Sequence, residues 1–362
     1  MDSEEPSLFG ERVNRRTFLK ASLATAAAAL TGGALIRSIL IKPSTIDTLA
    51  LRTPLYSQNG KSLVALVKCD NRIDGINTAI SLLGGLDPLV KDLDSYVLIK
   101  PNCNTAHPFP ASTHPTTLET TLKLLIAAGV APEDIVVSDL PNAGALPVRT
   151  NFHQKGFMPI LEKFGVSARF LDEEPEDTAF IKTYIPAATY WNGEFTTMSC
   201  VHEASRVISL PALKTHSIGV FTMALKNSVG VLSYPDRRRL HSGNTRQKIA
   251  EINLAYSTDL IIVDGLEGFV DGGPTYGTKQ QTGVVIAGSD RVAVDLVGAS
   301  VLKFFDAKGL TEKPVCRQDQ IQRAKELGIG NTERDKIILR HENRNGDSSF
   351  EDMINLVFSE ME

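Results

Sequence analysis

The chain is poor in the residues and motifs that most readily announce a chemistry. It has four cysteines in 362 residues, Cys69, Cys103, Cys200 and Cys316, and no two stand at C-x-x-C spacing. That excludes an iron–sulfur cluster or structural zinc built by a local motif. The four are either core thiols, the commoner reading of scattered cysteines, or include one disulfide of undetermined pairing. Basic excess is also missing. The formal net charge is -4, and residues 1–42 hold six Lys/Arg against four Asp/Glu, so the remainder stands at -6. A polyelectrolyte partner such as nucleic acid is excluded on that ground, and any anion must be bound by local groups. There is no G-x-S-x-G elbow, no P-loop, no G-x-G-x-x-G opening a helix and no His-x-x-x-His pair.

What is present begins with a leader. Arg15 and Arg16 precede Phe18, Leu19 and Lys20, and Ala21 to Ile36 is apolar or small throughout. A positive region before an apolar run is the layout of an export signal. Seven alanines and two glycines between Ala21 and Ile36 would make a poor buried core helix. The pattern Arg-Arg-x-Phe-Leu-Lys resembles the twin-arginine (Tat) signal, with Asn14 where Ser or Thr is usual. It implies engagement of the Tat machinery through Arg15 and Arg16 and delivery to the periplasm or another extracytoplasmic space. The mature chain is either released or tethered by Ala21–Ile41, whose length approaches a membrane span interrupted by Arg37. Membrane contact is expected through this segment alone. The organisation expected is a signal or anchor over 1–42, a linker over 43–60 and one domain over 61–362.

Within that domain, short β-branched runs alternate with helical patterns. Strands are expected at Leu63–Cys69, Tyr96–Ile99, Ile135–Ser138, Val207–Leu210, Leu260–Val263, Gly283–Ala287 and Lys336–Leu339. Helices are expected over Thr116–Ala128, His153–Phe164, Val220–Val229, Ile249–Tyr256, Val292–Phe305, Ile321–Leu327 and Phe350–Phe358. Thr178–Val201 reads as a small insertion or a β excursion. Alternation of this kind predicts an α/β fold: a mostly parallel sheet with helices on both faces, in a single large domain with a small irregular insertion.

Ligands of such folds bind at the carboxyl ends of strands, and charge collects there in this sequence. Lys100 and Asn102 follow one strand, with Thr113-His114-Pro115 just before a helix. Asp139 follows the next. Lys214, Thr215 and His216, then Thr222, Lys226 and Asn227, follow the strand at Val207. Asp264 follows the strand at Leu260 and opens a glycine-rich loop running to Gly277. A helix over Val220–Val229 would put Thr222 and Lys226 on one face, with Lys226 in an apolar setting that calls for an anionic partner or a shifted pKa. Lysines, threonine hydroxyls and imidazole together make a cradle for carboxylate or phosphate. The same residues also fit solvated loops and a snorkelling lysine. A divalent metal on His114, His216, Asp264 and Asp295 is a further reading that ligand types allow but spacing does not specify.

Seven stretches in this order resemble the uncharacterised family known as domain of unknown function three-six-two: VLIKPN at Val97–Asn102, THP at Thr113–Pro115, SLPALKTH at Ser209–His216, ALKNSVG at Ala224–Gly230, VDGLEG at Val263–Gly268, GGPTYG at Gly272–Gly277 and GSDRVAVD at Gly288–Asp295. Members of that family often carry Tat-type leaders, and some carry ferredoxin-like cysteine clusters that this chain lacks. The resemblance implies that Lys100, His114, Lys214, His216, Lys226, Asn227 and Asp264 form one site, and it brings no reaction with it. The expectation is an exported enzyme of unspecified reaction acting on a small anionic substrate. Lys100, Asn102, Lys214, Thr215, Lys226 and Asn227 would bind, His114 or His216 would serve as general acid or base, and Asp264 would orient a histidine or hold a cation. The alternative is a periplasmic anion- or metal-binding module without turnover, and a structural role without ligand is the third reading.

Overall fold

A computed structural model describes residues 46–47, 51–142, 144 and 146–362. The leader and its anchor reading lie outside the described residues.

The continuous apolar run at the start of the domain forms an interior strand of the sheet. In β3 (Lys61–Lys68) every residue from Ser62 onward is buried, as both-face coverage requires. The other strands are β1 (Ile46–Asp47), β2 (Ser57–Gln58), β4 (Val97–Pro101), β5 (Ile135–Val137), β6 (Ser167–Ala168), β7 (Phe180–Tyr184), β8 (Glu194–Met198), β9 (Arg206–Leu210), β10 (Ala212–His216), β11 (Val220–Thr222), β12 (Leu260–Gly272), β13 (Gly277–Gly288) and β14 (Ile337–Asn343). Eleven of them make one sheet in the order β14-β3-β13-β12-β9-β4-β5-β6, with β2 on β3 and the β10–β11 hairpin on β12. The half β12-β9-β4-β5-β6 is parallel, as is β14-β3. Antiparallel β13 joins the two halves. The fold is therefore α/β with a mixed, mainly parallel sheet.

Helices start and stop where local chemistry directs. The helix Arg72–Leu83 is capped by Asn71, whose side chain accepts from the N–H groups of Ile73 and Asp74. The helix Arg291–Phe304 is capped in the same way by Asp290. Pro115 opens the helix Pro115–Ala127, at a position where its missing N–H is no loss.

Three expectations change in detail, and one open alternative is decided. The helix expected over His153–Phe164 is two helices, Val148–Gln154 and Phe157–Phe164, broken at Gly156, whose φ of 76° no helix admits. The helix expected over Val220–Val229 is instead β11, one helical turn at Ala224–Asn227 and a 3₁₀ turn at Ser228–Val231. The β-branched and aromatic run Val220-Phe221-Thr222 pairs with β10, and that pairing overrides the helical spacing. The glycine-rich stretch after Asp264 is mostly strand, since β12 and β13 form a long hairpin that turns only over residues 273–276. Thr178–Val201 resolves as a β excursion, with β7 antiparallel to β8 and parallel to β1.

Candidate functional site

Lys100 is the fourth residue of β4 and Asp139 lies just past β5, so the two meet at neighbouring carboxyl ends of the parallel half-sheet. Their ion pair, Nζ to Oδ1, is 2.7 Å long, and both side chains are buried. The second carboxylate oxygen accepts the N–H of Cys103 at 2.7 Å. Burial draws Lys100 below the ordinary lysine range, against the pull of Asp139. Asn227 links this pair to β9. Its Oδ1 faces Lys100 Nζ at 3.4 Å, and its Nδ2 donates to the Ser209 hydroxyl at 2.8 Å.

A second cation comes from the β10–β11 hairpin. Lys214 stands opposite Thr222 in the register. It is 1 % exposed and donates to the carbonyl oxygens of Ala111 and Pro274, the latter at 3.1 Å. No carboxylate reaches it among the described residues. Burial, with Lys226 and Lys155 adding like charge, pushes Lys214 down to about 7.

The third cation, Lys226, is half-buried on the turn Ala224–Asn227. Asp295 fixes that turn by accepting the N–H groups of Ala224 at 2.6 Å and Leu225 at 3.0 Å. Burial lifts Asp295 to about 7. Asn253 donates to the Leu225 carbonyl from the other side. Lys226 itself has no hydrogen-bond or ion-pair partner among the described residues, and burial together with Arg237 pushes it down to about 8.

These groups enclose one cavity of about 40 Å³, lined by Lys100, Lys214, Lys226, Asp139, Asn227 and Thr222 together with Asn102, Asn104 and Pro274. A water needs ~10–15 Å³ by the same kind of measure, so the space suits a carboxylate or phosphate head rather than a whole large molecule. The Thr222 hydroxyl is buried in this wall without a partner. Arg237 is buried nearby and donates to the carbonyls of Leu140 at 2.6 Å and Pro141 at 2.5 Å. Cations thus outnumber Asp139, the one carboxylate in the lining.

The remaining candidates fall outside the lining. His216 is buried, and its Nδ1 accepts the N–H groups of Ile218 and Gly219, each at 3.1 Å. Those bonds put its proton on Nε2 in the neutral ring. Burial, then Lys226 and Lys214, hold it far below the usual histidine range. Thr215 is buried with its hydroxyl unpartnered. His114 caps the helix Pro115–Ala127, its Nδ1 accepting from Thr116 N–H at 3.1 Å, and burial lowers its pKa. Asp264 is fully buried, and its Oδ2 takes Arg72 Nε and the Thr117 hydroxyl, each at 2.5 Å. It bonds neither histidine. The metal set His114, His216, Asp264 and Asp295 is not assembled: Asp295 holds backbone amides and Asp264 holds Arg72. Among the described residues no three His, Cys, Asp or Glu side chains gather to hold an ion. All four cysteines are buried and unpaired.

Arg72 and Arg237 are the residues that sequence reasoning missed. Arg237 is one of three consecutive arginines, and nothing local tells which one turns inward. Arg72 reads as an ordinary first-turn residue of its helix.

Fold and cavity together define a class: an α/β domain with a cation-rich pocket at the carboxyl ends of its parallel strands. The chain belongs to the family described as "Domain of unknown function (DUF362)", whose model matches residues 97–300, more than half of the chain. A second match, to the TAT (twin-arginine translocation) pathway signal sequence, covers residues 12–32 and marks the chain for export across a membrane by that route. The chain is similar to the thylakoid-associated protein sll1697 of Synechocystis sp. (strain ATCC 27184 / PCC 6803 / Kazusa), at 26% identity over 250 residues, covering 64% of this chain and 70% of that protein. Among the described residues no helix is long and apolar enough to cross a membrane.

Proposed function

We propose that this exported protein is an enzyme that takes a small anionic substrate, a carboxylate or phosphate, into the cavity between Lys100, Lys214 and Lys226. The observation that carries the reading is the charge imbalance in the cavity wall. Lys214 is buried with only carbonyl oxygens for partners, and Lys226 has no partner among the described residues. A buried ammonium without a counter-charge is costly, and an anion entering the cavity offsets that cost. The unpartnered Thr222 hydroxyl and the Asn102 side chain supply further contacts. The position agrees with the strand-end rule for open α/β sheets. In this reading Asn227, tied to Lys100 and Ser209, holds the wall in place, and neutral His216 offers an Nε2 proton beside the lysines. The protein works outside the cytoplasm, released or tethered by its leader.

One observation favours binding without turnover as a second reading. Asp139, the carboxylate in the cavity lining, is held by Lys100 and the Cys103 N–H, so it is not free to move protons.

The test is thermal denaturation of the mature protein with inorganic phosphate, succinate or pyruvate, beside the Lys214→Met and Lys226→Met variants. Stabilisation of the wild type that both variants lose supports the site. Equal shifts in all three proteins, or none in the wild type, would overturn it. Recovering the bound anion by mass spectrometry then separates a converted ligand from an unchanged one.

A further inference from the structure

Of the three lysines around the cavity, two have their ammonium protons committed. Lys100 donates to Asp139, and Lys214 donates to the carbonyls of Ala111 and Pro274. Burial lowers both, Lys214 to about 7, but these bonds hold each nitrogen in place in the wall. Lys226 has no such bond among the described residues. It reaches the cavity from a turn pinned by Asp295 on one side and Asn253 on the other, so its backbone is fixed while its nitrogen is unengaged. Two other cations line the same small space, and Arg237 lies behind it. A lysine desolvated next to other cations is the setting in which an amine becomes nucleophilic at neutral pH.

We propose that Lys226 is the nucleophile of the site and condenses with the carbonyl group of a small 2-oxo acid whose carboxylate is held by Lys214 and Lys100. The inference rests on the anion reading above and names its substrate class. A 2-oxo acid puts the carbonyl carbon one bond from the carboxylate, so a cavity of about 40 Å³ can admit both groups while the rest of the molecule stays outside. In the step, the nitrogen lone pair of the neutral Lys226 amine forms a C–N bond to the carbonyl carbon, and the carbonyl π pair moves to oxygen. The carbinolamine then loses that oxygen as water, which carries away the two protons that nitrogen gives up. The product is an imine, and nothing is oxidised or reduced. The Thr222 hydroxyl, buried and unpartnered in the wall, is a donor available to the departing oxygen. The depressed pKa of Lys226, about 8, keeps a usable fraction of free amine at neutral pH.

The experiment is reductive trapping on the mature protein with pyruvate and cyanoborohydride, followed by peptide mapping. Hydride reduction of the imine fixes a secondary amine, and the modified residue gains the mass of pyruvic acid less one oxygen atom. The adduct is expected on Lys226, formed faster at pH 8 than at pH 6, suppressed by inorganic phosphate and lost in Lys226→Arg and Lys226→Met. The wild-type map is decisive even where a variant folds poorly. No adduct at Lys226, or one no faster than on surface lysines, overturns the inference. The anion reading survives that result if phosphate still gives a thermal shift that depends on Lys214. If neither phosphate nor pyruvate gives a lysine-dependent shift, both readings fall together.

Discussion

Gly230 sits directly against the buried Lys100–Asp139 pair: a Cβ at this glycine would lie 2.2 Å from Asp139 Oδ1 and 2.5 Å from Lys100 Nζ. Both neighbours are held by buried bonds and cannot swing away. Gly230→Ala should therefore cost about 1–3 kcal/mol by overpacking. Asp139→Ala should cost more, about 3–5 kcal/mol, because Lys100 is left charged and unpaired in the interior. Urea denaturation of the two variants checks the order. An alanine tolerated at 230 without loss would mean that the pair does not occupy this place.

Lys214 and Lys226 carry folded pKa values of about 7 and about 8, below the ordinary lysine range. From those values up to the unfolded pKa, the unfolded chain binds more protons than the folded one. The contribution of the two lysines to stability therefore rises with pH from about 7 to about 10 in the free protein. Anion binding should run the other way, weakening through the same interval as the ammonium charges are lost. Phosphate-induced thermal shifts measured from pH 6 to pH 9 test both signs. Lys226→Met should make the pH dependence above about pH 8 shallower, leaving the part due to Lys214, and leave stability unchanged or raised by about 1 kcal/mol, since it deletes a desolvated charge without a partner.

The twin-arginine pair should act without regard to the domain. Replacing Arg15 and Arg16 by lysine keeps the charge and the apolar run but changes the matched signal. Export should be abolished while the protein retained in the cytoplasm keeps its thermal midpoint. Fractionation and a melting curve answer this, and export of the double variant at the wild-type level would argue for another route.

Part of the candidate cavity is legible in the sequence because strand ends are legible. A β-branched run closing on a charged residue places that residue at the end of its strand, as with Lys100 and Asp139, whereas Lys214, expected in a loop after the strand at Val207, lies inside β10. The order of the parallel strands then brings together positions that sequence leaves far apart. What was hidden is the direction of side chains after each strand. Asp264, expected at a strand end, lies inside β12 and turns to Arg72, 192 residues earlier in the chain. Thr222 and Lys226 do share the cavity, though through a hairpin and a turn rather than one helix face. Strand pairing with β10 is a long-range effect that spacing alone does not carry.

Asp264 therefore makes a sharp test of role. If it is a clamp, Asp264→Ala should cost about 3 kcal/mol or more by stranding the Arg72 guanidinium and the Thr117 hydroxyl. Asp264→Asn should recover part of that, because an amide oxygen still accepts from Arg72. Anion binding at the lysine cavity should persist in the asparagine variant, whose folded fraction can be followed by near-ultraviolet circular dichroism. A variant that folds as well as the wild type and binds no anion would return Asp264 to the functional set.

His216 separates an acid–base role from a structural one. Its Nδ1 already receives two backbone N–H groups, and the ring is kept neutral by burial and by the lysines beside it. A general base needs a free lone pair, and in this tautomer the remaining nitrogen bears a proton instead. The ring can donate a hydrogen bond to an anion, but it should not titrate between pH 5 and pH 8. Nitrogen NMR of labelled protein should show an uncharged ring with Nε2 protonated across that interval. His216→Asn keeps an acceptor for the two amides and should lose about 1 kcal/mol or less, whereas His216→Ala strands both and should lose about 1–3 kcal/mol. A histidine that titrates near pH 6.5 despite these bonds would show the hairpin opening at that pH, and would bring His216 back as the proton carrier of the site.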